Sequence, residues 1–118
     1  MTAGLLLAWA NPTSAETEAE FNAWYDDVHI PQVRAAVPSI TAVHRYRTAE
    51  ISAGTQPGQS PHAYLAVYEL DSADVETAAA ALGAGVASGR IALTSALDLE
   101  HAPPVSQFYQ GRAADAVP

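Results

Sequence analysis

Six apolar segments, alternating in kind, set most of what this chain can become. Leu5 to Ala10 is a short continuous apolar run ended by Asn11-Pro12, the pattern of a buried strand running into a turn. Phe21, Trp24, Tyr25 and Val28 then recur at spacings of three and four, which is a helical stripe. Ile40 to Thr48 and His62 to Leu70 are rich in β-branched and aromatic residues and read as strands. Val75, Ala78, Ala79, Leu82 and Val86 form a second helical stripe, and Val105 to Gln110 a last strand. In this order, strand, helix, strand, strand, helix, strand, two helices can cover only one face of a four-stranded sheet. The other face would hold half of the strands' Leu, Tyr and Val side chains, more apolar area than a monomer leaves wet, so a second copy of the chain is expected to cover it. The expected assembly is a homodimer whose two sheets close around an apolar pocket.

Local signals place the ends of these elements. Thr13 stands three residues before Glu16, as in a capping box, and Glu16, Glu18 and Glu20 put negative charge at the positive end of a helix starting near Ser14. Pro31 disfavours α conformation at Ile30, which predicts that this helix stops or kinks at His29, with Pro31 opening a further turn towards Val37. The Asp71-Ser72-Ala73-Asp74 turn caps the second helix, and Gly83, Gly85 and Gly89 loosen its end. The Gly, Pro, Ser and Gln residues between Ser52 and Pro61 predict a long mobile loop. Ile91 to Pro104 has no clear period and reads as irregular, and Gly111 to Pro118 as a frayed tail.

Composition removes several classes of function. The formal charge is −8, with five Arg, no Lys and thirteen acids, so no basic face exists to hold nucleic acid or an anionic membrane surface. With 49% hydrophobic and 15% charged residues in 118, one folded domain is expected. The absence of Cys removes disulfides, thiolate nucleophiles and Cys-bound zinc. The apolar opening, Met1 to Ala10, lacks a basic leader and is about half a membrane span, so a first strand of a cytoplasmic protein is expected there. His29, His44, His62 and His101 show neither H-E-x-x-H nor a tight H-x-H spacing, and no metal is expected. No cofactor is expected either, because the glycines at 83, 85 and 89 follow a helix instead of joining a strand to one, and no G-x-S-x-G elbow occurs.

The stretch Phe21-Asn22-Ala23-Trp24-Tyr25-Asp26-Asp27-Val28-His29-Ile30-Pro31, followed by Val37-Pro38 and Ala42-Val43-His44-Arg45-Tyr46, resembles the EthD-like branch of the dimeric α/β-barrel superfamily. Members of that branch often read F-x-x-W-Y-x-x-V-H-x-P, then a proline turn, then a strand ending in an aromatic after Arg. The resemblance runs from Leu5 to Tyr109 and implies an α+β, ferredoxin-like βαββαβ sandwich. It implies no single reaction, because the superfamily holds cofactor-free isomerases, polyketide cyclases and monooxygenases, lyases, haem enzymes and members without known chemistry. It also implies that the His of the H-x-P motif acts at the pocket, a role that falls on His29 by position.

Read from the residues themselves, His29 near a helix end, with Asp26 three residues earlier, should have its pKa raised from about 6.5 and could act as general acid or base, or simply cap the last carbonyls. In the Ile40 to Thr48 strand the period of two puts Ala42, His44 and Tyr46 on one face and Val43, Arg45 and Arg47 on the other. Arginine is costly beneath helices, so Arg45 is expected at the pocket between the sheets or at a surface edge beside a carboxylate. Tyr64 and Tyr68 share a face and could stack on a flat substrate and donate hydrogen bonds, or be core residues with wet tips. The candidate site is therefore His29 as proton shuttle, with Trp24, Tyr25, Arg45, Tyr46, Tyr64 and Tyr68 as substrate-binding residues.

The function expected is cofactor-independent acid/base chemistry of the cyclase, isomerase, dehydratase or lyase type on an apolar, oxygenated small molecule such as a polyketide or aromatic intermediate. A cofactor-free monooxygenase and a non-catalytic small-ligand-binding domain are the alternatives. Oxygen uptake separates the first two, and ligand retention without turnover marks the third.

Overall fold

The computed structural model describes residues 2–49 and 61–112. Strand β1 (Gly4–Ala10) leads through a 3₁₀ turn (Ala15–Thr17) into α1 (Glu18–Trp24), a π-helical turn (Tyr25–His29) and α2 (Ile30–Ala36). Strands β2 (Ile40–Arg47) and β3 (Tyr64–Leu70), helix α3 (Val75–Ala87) and strand β4 (Val105–Gln110) follow. The strands make one antiparallel sheet in the order β2-β3-β1-β4. This is the ferredoxin-like topology that the segment order predicts.

Register settles the two faces. Leu6 of β1 lies opposite Tyr68 of β3, and Tyr68 opposite Val43 of β2, so Leu6, Tyr68 and Val43 share one face with Ala10, Ala66, Leu70 and Arg45. Leu6, Ala66, Tyr68 and Leu70 are buried there against Phe21, Tyr25 and Val33 from the helices. The side chains one residue over, Leu5, Leu7 and Trp9 of β1 and Leu65 and Val67 of β3, point to the face without helices. Gly85 sets how closely the helices approach. A Cβ there would stand 2.7 Å from Ile91 Cδ1 and 3.1 Å from Ala36 Cβ, so a side chain at 85 would press on the Ile91 tip and on α2.

Several boundaries differ from the sequence reading, each for a local reason. The reciprocal cap at the first helical turn is made by Ser14 and Thr17, one residue later than expected, with the Ser14 amide donating to Thr17 Oγ1 at 3.1 Å. In α3 the buried residues are Ala78 and Gly85, while Ala79 and Val86 are exposed. An Ala-rich helix has too little contrast for periodicity to orient it. Asp74 caps α3 as expected, accepting from the Thr77 amide at 3.1 Å. The 91–104 segment is irregular but not loose. Ile91, Ala96 and Leu97 are buried, and the buried Asp98 carboxylate accepts from the amides of Glu100, His101 and Ala102 at 2.9, 3.0 and 3.0 Å. Those bonds hold its carboxyl below the usual carboxylate range. Gly111 is tied to Ala3 by a backbone bond of 2.8 Å. The mobile loop expected over 52–61, Pro61 apart, and the tail beyond residue 112 lie outside the described residues. Among the described residues no helix is long and apolar enough to cross a membrane.

Candidate functional site

The α ladder is interrupted at His29 and resumes with Pro31 in the first turn of α2, as one of the two expected outcomes has it, but the helix does not end there. The helix passes through His29 as a π turn and continues as α2, with Pro31 in its first turn. Pro31 has no N–H to give to a carbonyl four residues back, so a regular α ladder would fail there in any case, and the wider turn before it takes up the mismatch. The consequence is geometric. Residues five apart on an α-helix are rotated by about 140° from one another, whereas a π turn brings them one above the other. Trp24 and His29 accordingly stack at 4.7 Å between ring centroids and 28° between planes, and the Tyr25 ring meets His29 edge-on at 4.8 Å.

These three side chains line a cavity of about 180 Å³ under the helices, together with Tyr68 from β3, Leu6 and Ala8 from β1, Leu82 and Val86 from α3, and Ile91, Leu93 and Leu97 from the irregular segment. Among the described residues no Arg, Lys, Asp or Glu lines it. This pocket lies between helices and sheet within one chain. A wider polar cleft, with Glu18, Arg47 and His62 on its walls, gathers none of the aromatic residues of the motif.

Charge at His29 runs opposite to expectation. Its pKa is lowered to about 4, first by burial and second by the Arg45 charge. No helix end exists to raise it, and Asp26 gives its carboxylate to Arg45, at 3.1 Å, instead of to the imidazole. The His29 side chain caps no carbonyl, and its Nδ1 is buried without a hydrogen-bond partner, as is the indole Nε1 of Trp24. His29 is thus a neutral imidazole with a free nitrogen in an apolar wall.

Arg45 sits on the edge strand β2 beside the Asp26 carboxylate, as the second of the two expected placements has it, but beneath the helices. It lies on the helix face of β2, its side chain 15% exposed, and does not line the cavity. Its guanidinium carbon stands 4.3 Å from the Tyr25 ring centroid, 5.1 Å from that of Tyr64 and 5.6 Å from that of Phe21. Three ring faces and the Asp26 carboxylate, bonded at Nη1, offset part of the desolvation, while Nε and Nη2 are buried without hydrogen-bond partners. Arg45 acts on the site from behind Tyr25. Replacing it with Met should raise the His29 pKa, read from the ring signals in an NMR titration; an unmoved pKa would leave burial as its sole determinant.

Tyr64 stays outside the cavity. Its hydroxyl donates to the Glu18 carboxylate and accepts from Asn22 Nδ2 at 3.2 Å, which ties α1 to β3. Tyr46 lies on the face without helices and is 55% exposed, so the structure does not bring it to the pocket. Tyr25 and Tyr68 are both there, and burial pushes both hydroxyls above the ordinary phenol value, Tyr68 by far. The sequence reading missed Leu82, Ile91, Leu93, Leu97 and Pro104 as lining residues. Four of the five lie in the segment without periodicity, where no signal marked them. Among the described residues no three His, Asp or Glu side chains converge as a metal site, and His44 is paired with Glu69 at 2.6 Å.

A ferredoxin-like sheet with an aromatic and imidazole-lined pocket beneath its helices defines the class. The EthD domain model matches residues 14–87, which cover the first helix, the π turn, β2, β3 and α3, and the chain belongs to the EthD family. No curated protein sequence matches it. Its fold is similar to that of an EthD-like protein from Ralstonia eutropha, at 20% identity over 97% of this chain and 99% of that one, with a TM-score of 0.56. It is also similar to an ethyl tert-butyl ether D family protein from Bacillus halodurans (15% identity, 95% and 100% covered, TM-score 0.52). A monooxygenase from Streptomyces coelicolor, ActVA-Orf6, solved in complex with nanaomycin D, shares the fold at 14% identity (95% and 89% covered, TM-score 0.51).

Proposed function

We propose that this protein is a cofactor-independent enzyme that does acid/base chemistry, of the cyclase, isomerase, dehydratase or lyase type, on a small apolar oxygenated molecule held under the helices. The observation that carries the reading is His29: a neutral imidazole whose Nδ1 has no partner, in a cavity lined otherwise by apolar and aromatic side chains and Ser106. Such a nitrogen can take a proton from carbon or oxygen and return it elsewhere, and a developing negative charge beside it would raise its proton affinity as the reaction proceeds. A second reading, a cofactor-free monooxygenase, draws on the fold shared with the Streptomyces coelicolor enzyme and on Trp24 and Tyr25 as a platform for an oxidisable ring. Turnover of candidate phenols, ketones and lactones in deuterated water decides between them. Deuterium entering the product without oxygen uptake supports acid/base chemistry, and stoichiometric oxygen uptake overturns it.

The working unit in this proposal is a homodimer joined through the face of the sheet without helices. Leu5, Leu7, Trp9, Leu65 and Val67 share that face, and Glu69, the carboxylate among them, already accepts from Thr2 Oγ1 at 2.6 Å and bonds His44 Nε2 at 2.6 Å. An interface there would bury an apolar surface and no unpaired carboxylate. Sedimentation at micromolar concentration should give a dimer, and a monomer without bound detergent or ligand would remove the interface from the proposal. A Cys-free, acidic chain suits a reducing cytoplasm, which is where we place its activity.

A further inference from the structure

We infer that the cavity under the helices is built for one neutral ring that carries an acceptor oxygen, which the Trp24 indole N–H takes up beside His29, and that it disfavours carboxylates and fused three-ring systems. This deepens the acid/base reading and rests on its choice of site.

Size comes first. The cavity measures about 180 Å³. An engineered apolar cavity of about 150 Å³ holds benzene, whereas pockets for drug-sized molecules run from about 300 Å³ upward. The cavity opens to solvent on one side, so one substituted ring fits inside it whereas three fused rings would have to project past its lip.

Charge comes second. Among the described residues the walls offer no basic side chain, and Arg45, bonded through Nη1 to Asp26 with its Nε and Nη2 buried without partners, lies outside them against the face of Tyr25. A carboxylate entering this space would lose its hydration and meet no counter-ion. The lip is apolar as well, formed by the exposed side chains of Val86 and Leu93, so nothing at the entrance draws in an anion.

The polar atoms come third. Trp24 Nε1 and His29 Nδ1 are buried without partners, and the two rings are stacked. The indole nitrogen is a donor and nothing else, so it calls for an acceptor on the ligand. The hydroxyls of Tyr25 and Tyr68 also line the cavity, but Trp24 Nε1 and His29 Nδ1 are the side-chain nitrogens buried there without partners. A ligand carbonyl placed at Trp24 lies beside His29, where a proton has to move.

Four probes of graded chemistry test this: acetophenone, benzoate, ethylbenzene and anthrone, titrated into the full chain while the Trp24 indole N–H signal is followed by NMR and assigned with Trp24→Phe. Acetophenone should move that signal downfield and bind at least about tenfold more tightly than benzoate, ethylbenzene or anthrone. In Trp24→Phe, which keeps a ring but has no N–H, acetophenone and ethylbenzene should bind within about threefold of each other. Benzoate or anthrone binding as tightly as acetophenone with the same shift, equal affinity for acetophenone and ethylbenzene in the unmodified protein, or no shift from any probe at millimolar concentration would each overturn the inference. None of these readouts involves turnover, so a pocket that selects as described in a protein that catalyses nothing would sink the acid/base reading and leave this one standing.

Discussion

Replacing His29 with Gln should lower turnover by about 10² to 10⁴-fold, the usual worth of one positioned acid or base, while the chain keeps its fold. Gln has similar bulk and can still hydrogen-bond, but it cannot carry a proton between two sites. The pH profile makes the expectation sharper. Because the His29 pKa is about 4 in the free protein, kcat/KM should be flat from about pH 5 to 8, with its acidic limb near 4 and not near the ordinary histidine value. A base with so low a pKa holds its proton weakly in the empty pocket. It becomes effective when negative charge develops on a substrate oxygen close by, as a preorganised neutral imidazole does at a carbonyl. A Gln variant with wild-type turnover would take His29 out of the mechanism, and an acidic limb at pH 6.5 would show that the ring is wetter in solution than its surroundings here imply.

The fold was legible because strands and helices here obey their periods. Leu6, Ala66, Tyr68 and Leu70 alternate with Leu5, Leu7, Leu65 and Val67 across the sheet, and either set is apolar enough to need cover. The same periodicity put Arg45 and Arg47 together on one face of β2 but could not say which face met the helices. A general cost, that of placing arginine under helices, left Arg45 between the pocket and an edge beside a carboxylate, and pointed away from the helix face where it lies. What holds it there is particular to this chain: Phe21, Tyr25 and Tyr64 present ring faces and Asp26 a carboxylate at the one point where Arg45 ends. No pattern within the strand records an arrangement made across two elements.

The helix carrying the motif was legible only in part, for a related reason. Pro31 signals trouble in the hydrogen-bond ladder but not its resolution, and a stop, a kink and a π turn all satisfy it. The chain takes the π turn, and with it the i, i+5 stack of Trp24 on His29. His29 thereby passes from a helix end, where carbonyls would hold a proton on it, into an apolar wall beside a cation, where the proton is refused. One extra residue in a helical turn changes the sign of the pKa shift.

That sign has a second consequence, visible without any substrate. An unfolded chain binds a proton at His29 with a pKa of about 6.5, and the folded chain with one of about 4, so between these values the unfolded state holds more protons. The stabilising contribution is complete above pH 6.5 and is lost as the pH falls towards 4. A difference of this size amounts to roughly 3 kcal/mol in all, of which about 2 kcal/mol should be gone by pH 5. Glu18, Glu69, Asp74 and Asp98 also lie below their ordinary values of 4.5 or 3.8, but their contributions fade at still lower pH, as each is protonated in the folded state. Urea unfolding at pH 7 and pH 5 should therefore show a drop in the natural chain that His29→Gln largely lacks, because Gln does not titrate. An equal drop in both chains would mean that His29 protonates in the folded state as readily as in the unfolded one, and the neutral imidazole on which the catalytic reading depends would be gone.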